Sequence, residues 1–178
     1  IDGSATRLTN VTSALRQVIG AVPDTSRIGL WTYSRALDGS RPYRVEVPLT
    51  EANSESRAAL DGSLAGLSPA TATSTYASVQ AVYDSAVQNW SGDGTNSVLL
   101  VTDGPNDDTA ISAASFLQSI ATASDPARPV RIDVVSLTQN SDIDTLRSLA
   151  DQTGGELVEV SSSDPSLTAT LDRLSSDR

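Results

Sequence analysis

The feature that most constrains the fold is a pair of short apolar runs, Val98-Leu99-Leu100-Val101 and V-R-I-D-V-V-S-L from Val130, with a helix-patterned stretch between them. A four-residue apolar block suits a strand covered on both faces of a sheet, and it is the best candidate for a central strand. The second run places Val130, Ile132 and Val134 on one face and reads as another interior strand. Between them Ile111, Ala114, Leu117 and Ile120 fall three or four residues apart, which predicts a helix, and D-P-A-R-P forms the connection. Strand, helix and strand in this order imply a right-handed crossover and parallel pairing.

The same alternation extends through the chain. From Leu8, the residues Val11, Ala14, Leu15, Val18 and Ile19 mark one face of a helix that ends near Gly20, and Pro23 stops it. R-I-G-L-W-T-Y-S, the turn Asp38-Gly39 and Y-R-V-E-V-P-L then read as a hairpin with a half-exposed edge strand. Helices are expected over 54–66 and from Ser74, the latter carrying Tyr76, Val79, Tyr83, Ala86, Val87 and Trp90. Ile143, Leu146 and Leu149 form a helix face closed by Gly154-Gly155. Leu157, Val158 and Val160 follow as a short strand, and Asp164-Pro165 opens a last helix with Leu167, Leu171 and Leu174. The expected class is α/β: a doubly wound, mostly parallel sheet with helices on both faces and an antiparallel edge hairpin. A chain of 178 residues suits a single domain, 1–178.

Composition then removes whole classes of function. Twenty-two acidic against 12 basic residues give a formal charge of −10, which repels phosphate backbones and anionic membranes and leaves cations or basic groups as easy partners. No nucleic-acid binding is expected. No apolar run approaches the ~18–20 residues needed to cross a bilayer, so no membrane insertion by this segment is expected either. The chain begins with Ile, which fits a piece of a longer precursor carrying any targeting signal upstream. Without cysteine or histidine there is no thiolate, disulfide, imidazole ligand or Ser-His-Asp triad. All 12 basic residues are Arg, which removes Schiff-base and P-loop lysine chemistry as well. The expectation is a protein that is not an enzyme.

In parallel α/β sheets ligands sit beyond the carboxyl ends of the strands. There, V-L-L-V-T-D-G-P-N-D-D delivers Thr102 and Asp103, then Gly104, Asp107 and Asp108. A plainer reading makes Asp103-Gly104 a strand-ending turn and Asp107 or Asp108 the cap of a helix starting near Thr109. In P-A-T-A-T-S-T-Y, Thr73, Ser74 or Thr75 is placed to cap the following helix. At the amino end, Asp2, Ser4 and Thr6 alternate in I-D-G-S-A-T-R-L and could turn three oxygens toward one cation, or simply lead into the first helix. Trp31, Tyr33, Tyr76 and Trp90 read as packing residues. Asp133 is odd within an apolar strand and is expected at a sheet end or beside an Arg.

Taken in order, these pieces resemble a family. N-S-V-L-L-V-T-D-G-P-N-D-D is similar to the fourth-strand signature of von Willebrand factor A domains, and T-S-T-Y-A-S-V-Q-A-V-Y to the loop and helix before it. R-I-G-L-W-T-Y-S, R-I-D-V-V-S-L and D-I-D-T-L-R-S-L-A-D-Q-T-G-G-E-L-V fall where the family has its second strand and its last two strand-helix units. The resemblance implies a Rossmann-like sheet with a metal-ion-dependent adhesion site, in which hard oxygens hold Mg²⁺ or Mn²⁺ and a partner's acidic side chain completes the coordination. By position Thr73 and Asp103 carry over as metal ligands, with Ser74, Gly104, Asp107 and Asp108 around them. Only Ile1 precedes Asp2, so the family's first, central strand is expected outside this chain. Asp2, Ser4 and Thr6 are then either a degenerate first motif or, the reading we favour, the loop after it. The implied function is a bacterial interaction domain, exported or in the cell envelope, that binds a protein ligand through an acidic or polar group. A Mg²⁺-dependent phosphoacceptor or phosphatase on a related α/β fold is the competing reading, weakened by the absence of lysine.

Overall fold

The computed structural model describes residues 4–70 and 72–176. In chain order the elements are α1 (Ser4–Ala21), β1 (Arg27–Asp38), β2 (Arg41–Glu51), α2 (Ser54–Ala65), α3 (Thr75–Gln88), β3 (Ser97–Thr102), α4 (Ala113–Ala123), β4 (Arg131–Ser136), α5 (Ile143–Thr153), β5 (Leu157–Glu159) and α6 (Leu167–Ser175). They fall into two compact units, one of residues 4–70 with 162–176 and the other of residues 72–161.

In the first unit β1 and β2 form an antiparallel hairpin that is a two-stranded sheet of its own. The expected single sheet with this hairpin at its edge is therefore, among the described residues, two sheets. Asp38 pairs with Arg41 across a turn in which Gly39 takes φ +64, a conformation open to glycine. Trp31 and Tyr43 lie on the same face of the ladder and stack at 5.0 Å between centroids. Pro42 and Pro48 in β2 cannot donate to a further strand, which is how natural sheets blunt an edge. Val11, Ala14 and Val18 of α1 are buried at the helical spacing read from the sequence. Asn53 caps α2 by accepting the Ser56 N–H at 3.0 Å, and α2 buries Leu60 and Leu64. In α6, Leu167, Leu171 and Leu174 are buried.

The second unit holds a parallel sheet in the order β3-β4-β5. Its centre is β4, where Ile132 to Ser136 are all buried. Val98, Leu99 and Val101 of β3 are only half-buried, and among the described residues β3 pairs with β4 alone. This block, the candidate for a central strand, lies among the described residues at the edge of the sheet. Asp133, fully buried in β4, meets the Arg131 Nε at 2.5 Å and accepts the Glu156 N–H at 2.9 Å, so the expected Arg partner is found. After α5, Gly154 adopts φ +77, and a Cβ on Gly155 would sit 1.9 Å from the Ile132 carbonyl oxygen. The two glycines therefore serve different ends, one turning the chain and one letting backbone pass against β4.

Candidate functional site

The loops beyond the carboxyl ends of β3 and β4 meet the loop that leads into α3, all within the second unit. Thr73 and Asp107 bind each other through their main chains and one side chain. The Thr73 N–H donates to Asp107 Oδ2 at 2.9 Å, and the Asp107 N–H donates to the Thr73 carbonyl at 2.9 Å. The Thr73 hydroxyl donates to the Pro105 carbonyl at 2.6 Å and lies 3.4 Å from the same Asp107 oxygen. One residue on, the buried Ser74 hydroxyl donates to Asp108 Oδ2 at 3.0 Å. Two candidate pairs are thereby brought together, Thr73 with Asp107 and Ser74 with Asp108.

The capping readings fare differently. Ser74 holds the N-cap position of α3, yet its hydroxyl makes no bond to that helix. The Tyr76 N–H in the first turn is instead accepted by Asn106 Oδ1 at 3.2 Å, a cap supplied from 30 residues away. The Thr75 hydroxyl is buried with no hydrogen-bond partner. Asp108 Oδ1 accepts the Ala110 N–H at 2.9 Å in a local turn, but α4 starts only at Ala113, where Ser112 accepts the Ser115 N–H. The helix expected near Thr109 is thus four residues shorter at its start, because Asp108 is held by Ser74 and the chain around it follows that contact.

Asp103 directly follows β3 and is exposed, and its carbonyl accepts the Thr138 hydroxyl at 2.7 Å. The Gly104 carbonyl accepts the Asn140 side-chain N–H at 2.7 Å and the Thr102 hydroxyl at 3.0 Å. Asp2 lies outside the described residues. Ser4 and Thr6 fall in the first turn of α1, the position of a lead into a helix.

Sequence reasoning passed over Asn106, Asn140 and Asp142. Asn140 Oδ1 accepts the Asp142 N–H at 2.9 Å, and Asp142 Oδ2 accepts the Asn106 N–H at 2.7 Å. The Asn106 side chain also donates to the Asp108 carbonyl. The signal available was positional: Asn140 and Asp142 follow β4 just as Asp103 follows β3, on the edge where ligands sit in parallel sheets. Tyr76 stacks on Phe116 at 4.6 Å with planes 6° apart, and its hydroxyl lies close to Asp142 and Thr145. Its pKa is raised, first by burial and then by the nearby Asp142 charge, against a lowering bond from Thr145.

As a cation site this edge offers hard oxygens: the Thr73 hydroxyl, the Asp107 carboxylate beside it and the exposed Asp103 carboxylate. No group of three or more acidic, His or Cys side chains suited to a metal is present among the described residues. Mg²⁺ is commonly held by one or two carboxylates while keeping several waters, so a cation here would draw few ligands from the protein. The surroundings are negative, since between residues 72 and 161 the basic residues are Arg128, Arg131 and Arg147. Each is within 4.0 Å of one carboxylate, Asp125, Asp133 and Glu159 respectively.

A family model for the von Willebrand factor type A domain matches residues 1–173. The chain belongs to that family. Two uncharacterized proteins from two strains of Mycobacterium tuberculosis are each 31% identical to this von Willebrand factor A domain over 160 residues. The match covers 86% of this chain and 23% of those proteins, so the domain spans about a quarter of its curated relatives. Among solved structures, the von Willebrand factor type A protein from Catenulispora acidiphila has a TM-score of 0.75 at 19% identity, over 94% of this chain and 37% of that one. The pilus adhesin SpaC from Lactobacillus rhamnosus GG has a TM-score of 0.64 at 12% identity, over 95% and 26%. An aerotolerance-related membrane protein from Bacteroides fragilis has 0.63 at 11%, over 94% and 85%. At these identities the structures establish a shared fold. The expected α/β class and family are the ones found, and no described helix is long and apolar enough to cross a membrane.

Proposed function

We propose that this von Willebrand factor A domain is a non-enzymatic module that binds a protein ligand at the loops beyond β3 and β4. A divalent cation, Mg²⁺ or Mn²⁺, sits between the partners in this reading. The observation that carries it is the reciprocal bonding of Thr73 and Asp107, which keeps the loop before α3 beside the loop after β3. Thr73 and Asp103 would hold the ion, and Asp107 and Asp108 would orient the hydroxyls of the first loop. The ion would supply an open coordination position for a carboxylate or polar oxygen from the partner. That lets a chain of net charge −10 take an acidic group it would otherwise repel.

The test is isothermal titration of the whole chain with Mn²⁺ and with Mg²⁺, on the wild type and on Thr73→Ala and Asp103→Ala. Saturable binding in the wild type that both substitutions abolish is the expected result. A wild type that takes up neither ion ends the cation reading and leaves direct protein contact at the same loops. Turnover of p-nitrophenyl phosphate that depended on Asp103 would replace the proposal with a phosphatase.

A further inference from the structure

We propose that Asp142 is a positioning residue for the Thr73–Asp107 contact, acting through the main-chain N–H of Asn106; the inference rests on the function proposed above. Asp142 occupies the N-cap of α5, where an aspartate ordinarily accepts a bond from its own helix, yet its side chain makes none. The carboxylate instead accepts the Asn106 N–H, 36 residues earlier in the chain, at 2.7 Å. The Tyr76 hydroxyl lies close to the same carboxylate.

Both neighbours of the carboxylate are tied to the candidate site. Tyr76 is 5% exposed and stacked on Phe116, so its ring is a fixed point in the core beside the carboxylate. Asn106 precedes Asp107 directly. Its side chain accepts the Tyr76 N–H and donates to the Asp108 carbonyl. Asn140 steadies the other end by accepting the Asp142 N–H and donating to the Gly104 carbonyl. The segment 104–106 is therefore gripped at both ends by the loop after β4, and Asp107 and Asp108 emerge from that grip to meet Thr73 and Ser74. Removing the Asp142 carboxylate strips the acceptor from the Asn106 N–H. An unpaired donor costs more than a lost bond gains, so the loop turns outward to find water and the Thr73–Asp107 pair opens.

The experiment uses ¹⁵N-labelled whole chain and compares wild type with Asp142→Ala, Asp142→Glu and Asp142→Asn, reading the amides of Thr73, Asn106 and Asp107 and the Mn²⁺ affinity. Asp142→Ala is expected to shift these amides, speed their exchange with solvent and weaken Mn²⁺ about tenfold while the helical content is kept. Asp142→Asn retains a carbonyl oxygen for the Asn106 N–H and is expected to restore the amides and the affinity. Asp142→Glu moves the carboxylate by a methylene and is expected to loosen the same amides, which keeps the test decisive if the alanine variant does not fold. Unchanged Thr73 and Asp107 amides in Asp142→Ala or Asp142→Glu, or failure of Asp142→Asn to restore them, overturns the proposal. A wild type that binds no Mn²⁺ counts against the cation reading alone, and the amides still decide the role of Asp142.

Discussion

Gly155 and Asp133 both act where the chain after α5 passes against the β4 backbone. A methyl on Gly155 would overlap the Ile132 carbonyl, which belongs to the central strand and has no room to retreat. Gly155→Ala is expected to destabilise the chain by at least about 3 kcal/mol in urea melts, well beyond ordinary overpacking. At Asp133, deleting the carboxylate removes the ion pair to the Nε of Arg131, whose side chain is 12% exposed, and the acceptor of the Glu156 N–H. Asp133→Ala should cost about 3–5 kcal/mol in the same melts, the range for a buried pair broken on one side. A loss below about 1 kcal/mol would mean that water already shares the pair. The sequence showed that Asp133 needed an explanation and left two, a sheet end or an Arg partner, because a charge in an apolar strand has few other ways to be accommodated; the structure has the Arg. The sequence carried no sign that Gly154 and Gly155 had separate tasks, since adjacent glycines read alike until the neighbouring backbone is in place.

Arg57 shows how elements depend on one another within the first unit. Its guanidinium donates to the carbonyls of Ile19 at 2.5 Å and Val22 at 2.6 Å and pairs with Asp24 at 2.7 Å. The orphan carbonyls at the end of α1 are thus satisfied by a side chain of α2, and the cation faces the negative end of the helix dipole. Arg57→Met keeps much of the apolar stem and should cost about 1–3 kcal/mol by chemical denaturation, the worth of bonds to a charged group. Arg57→Lys should recover only part of it, because an ammonium cannot reach both carbonyls with the planar fork. Helical spacing located α1, α2 and α6 in the sequence to within a few residues, since one buried face per helix leaves its period in the chain. The place of β3 was not legible in that way. Val98 to Val101 carry a composition that fits a central or an edge strand, and only the pairing of the sheet distinguished them.

Charge and burial set how the whole molecule responds to pH. The folded pKa of Tyr76 lies above the ordinary 10.0, so between those values the folded chain holds a proton that the unfolded chain has released. Stability from this group is present below pH 10.0 and falls as the pH rises toward the folded value. Urea midpoints taken from neutral pH into that window should decline in wild type and decline less in Tyr76→Phe; equal slopes would remove Tyr76 as the source. At the acid end, Asp125 is held low by its bond to Arg128, and Asp164 by the Ser166 N–H, both at the surface. The α/β alternation was legible in the sequence alone, because apolar periodicity is a property of single segments, and the family was legible through the order of the motifs that resemble it. Only the tertiary structure decided that Thr73 pairs with Asp107, that Asn106 caps a helix 30 residues earlier and that Asp142 serves a distant loop rather than its own helix. Those are contacts between residues 30 or more positions apart, and their partners depend on where three loops come to rest, which no period in the chain records.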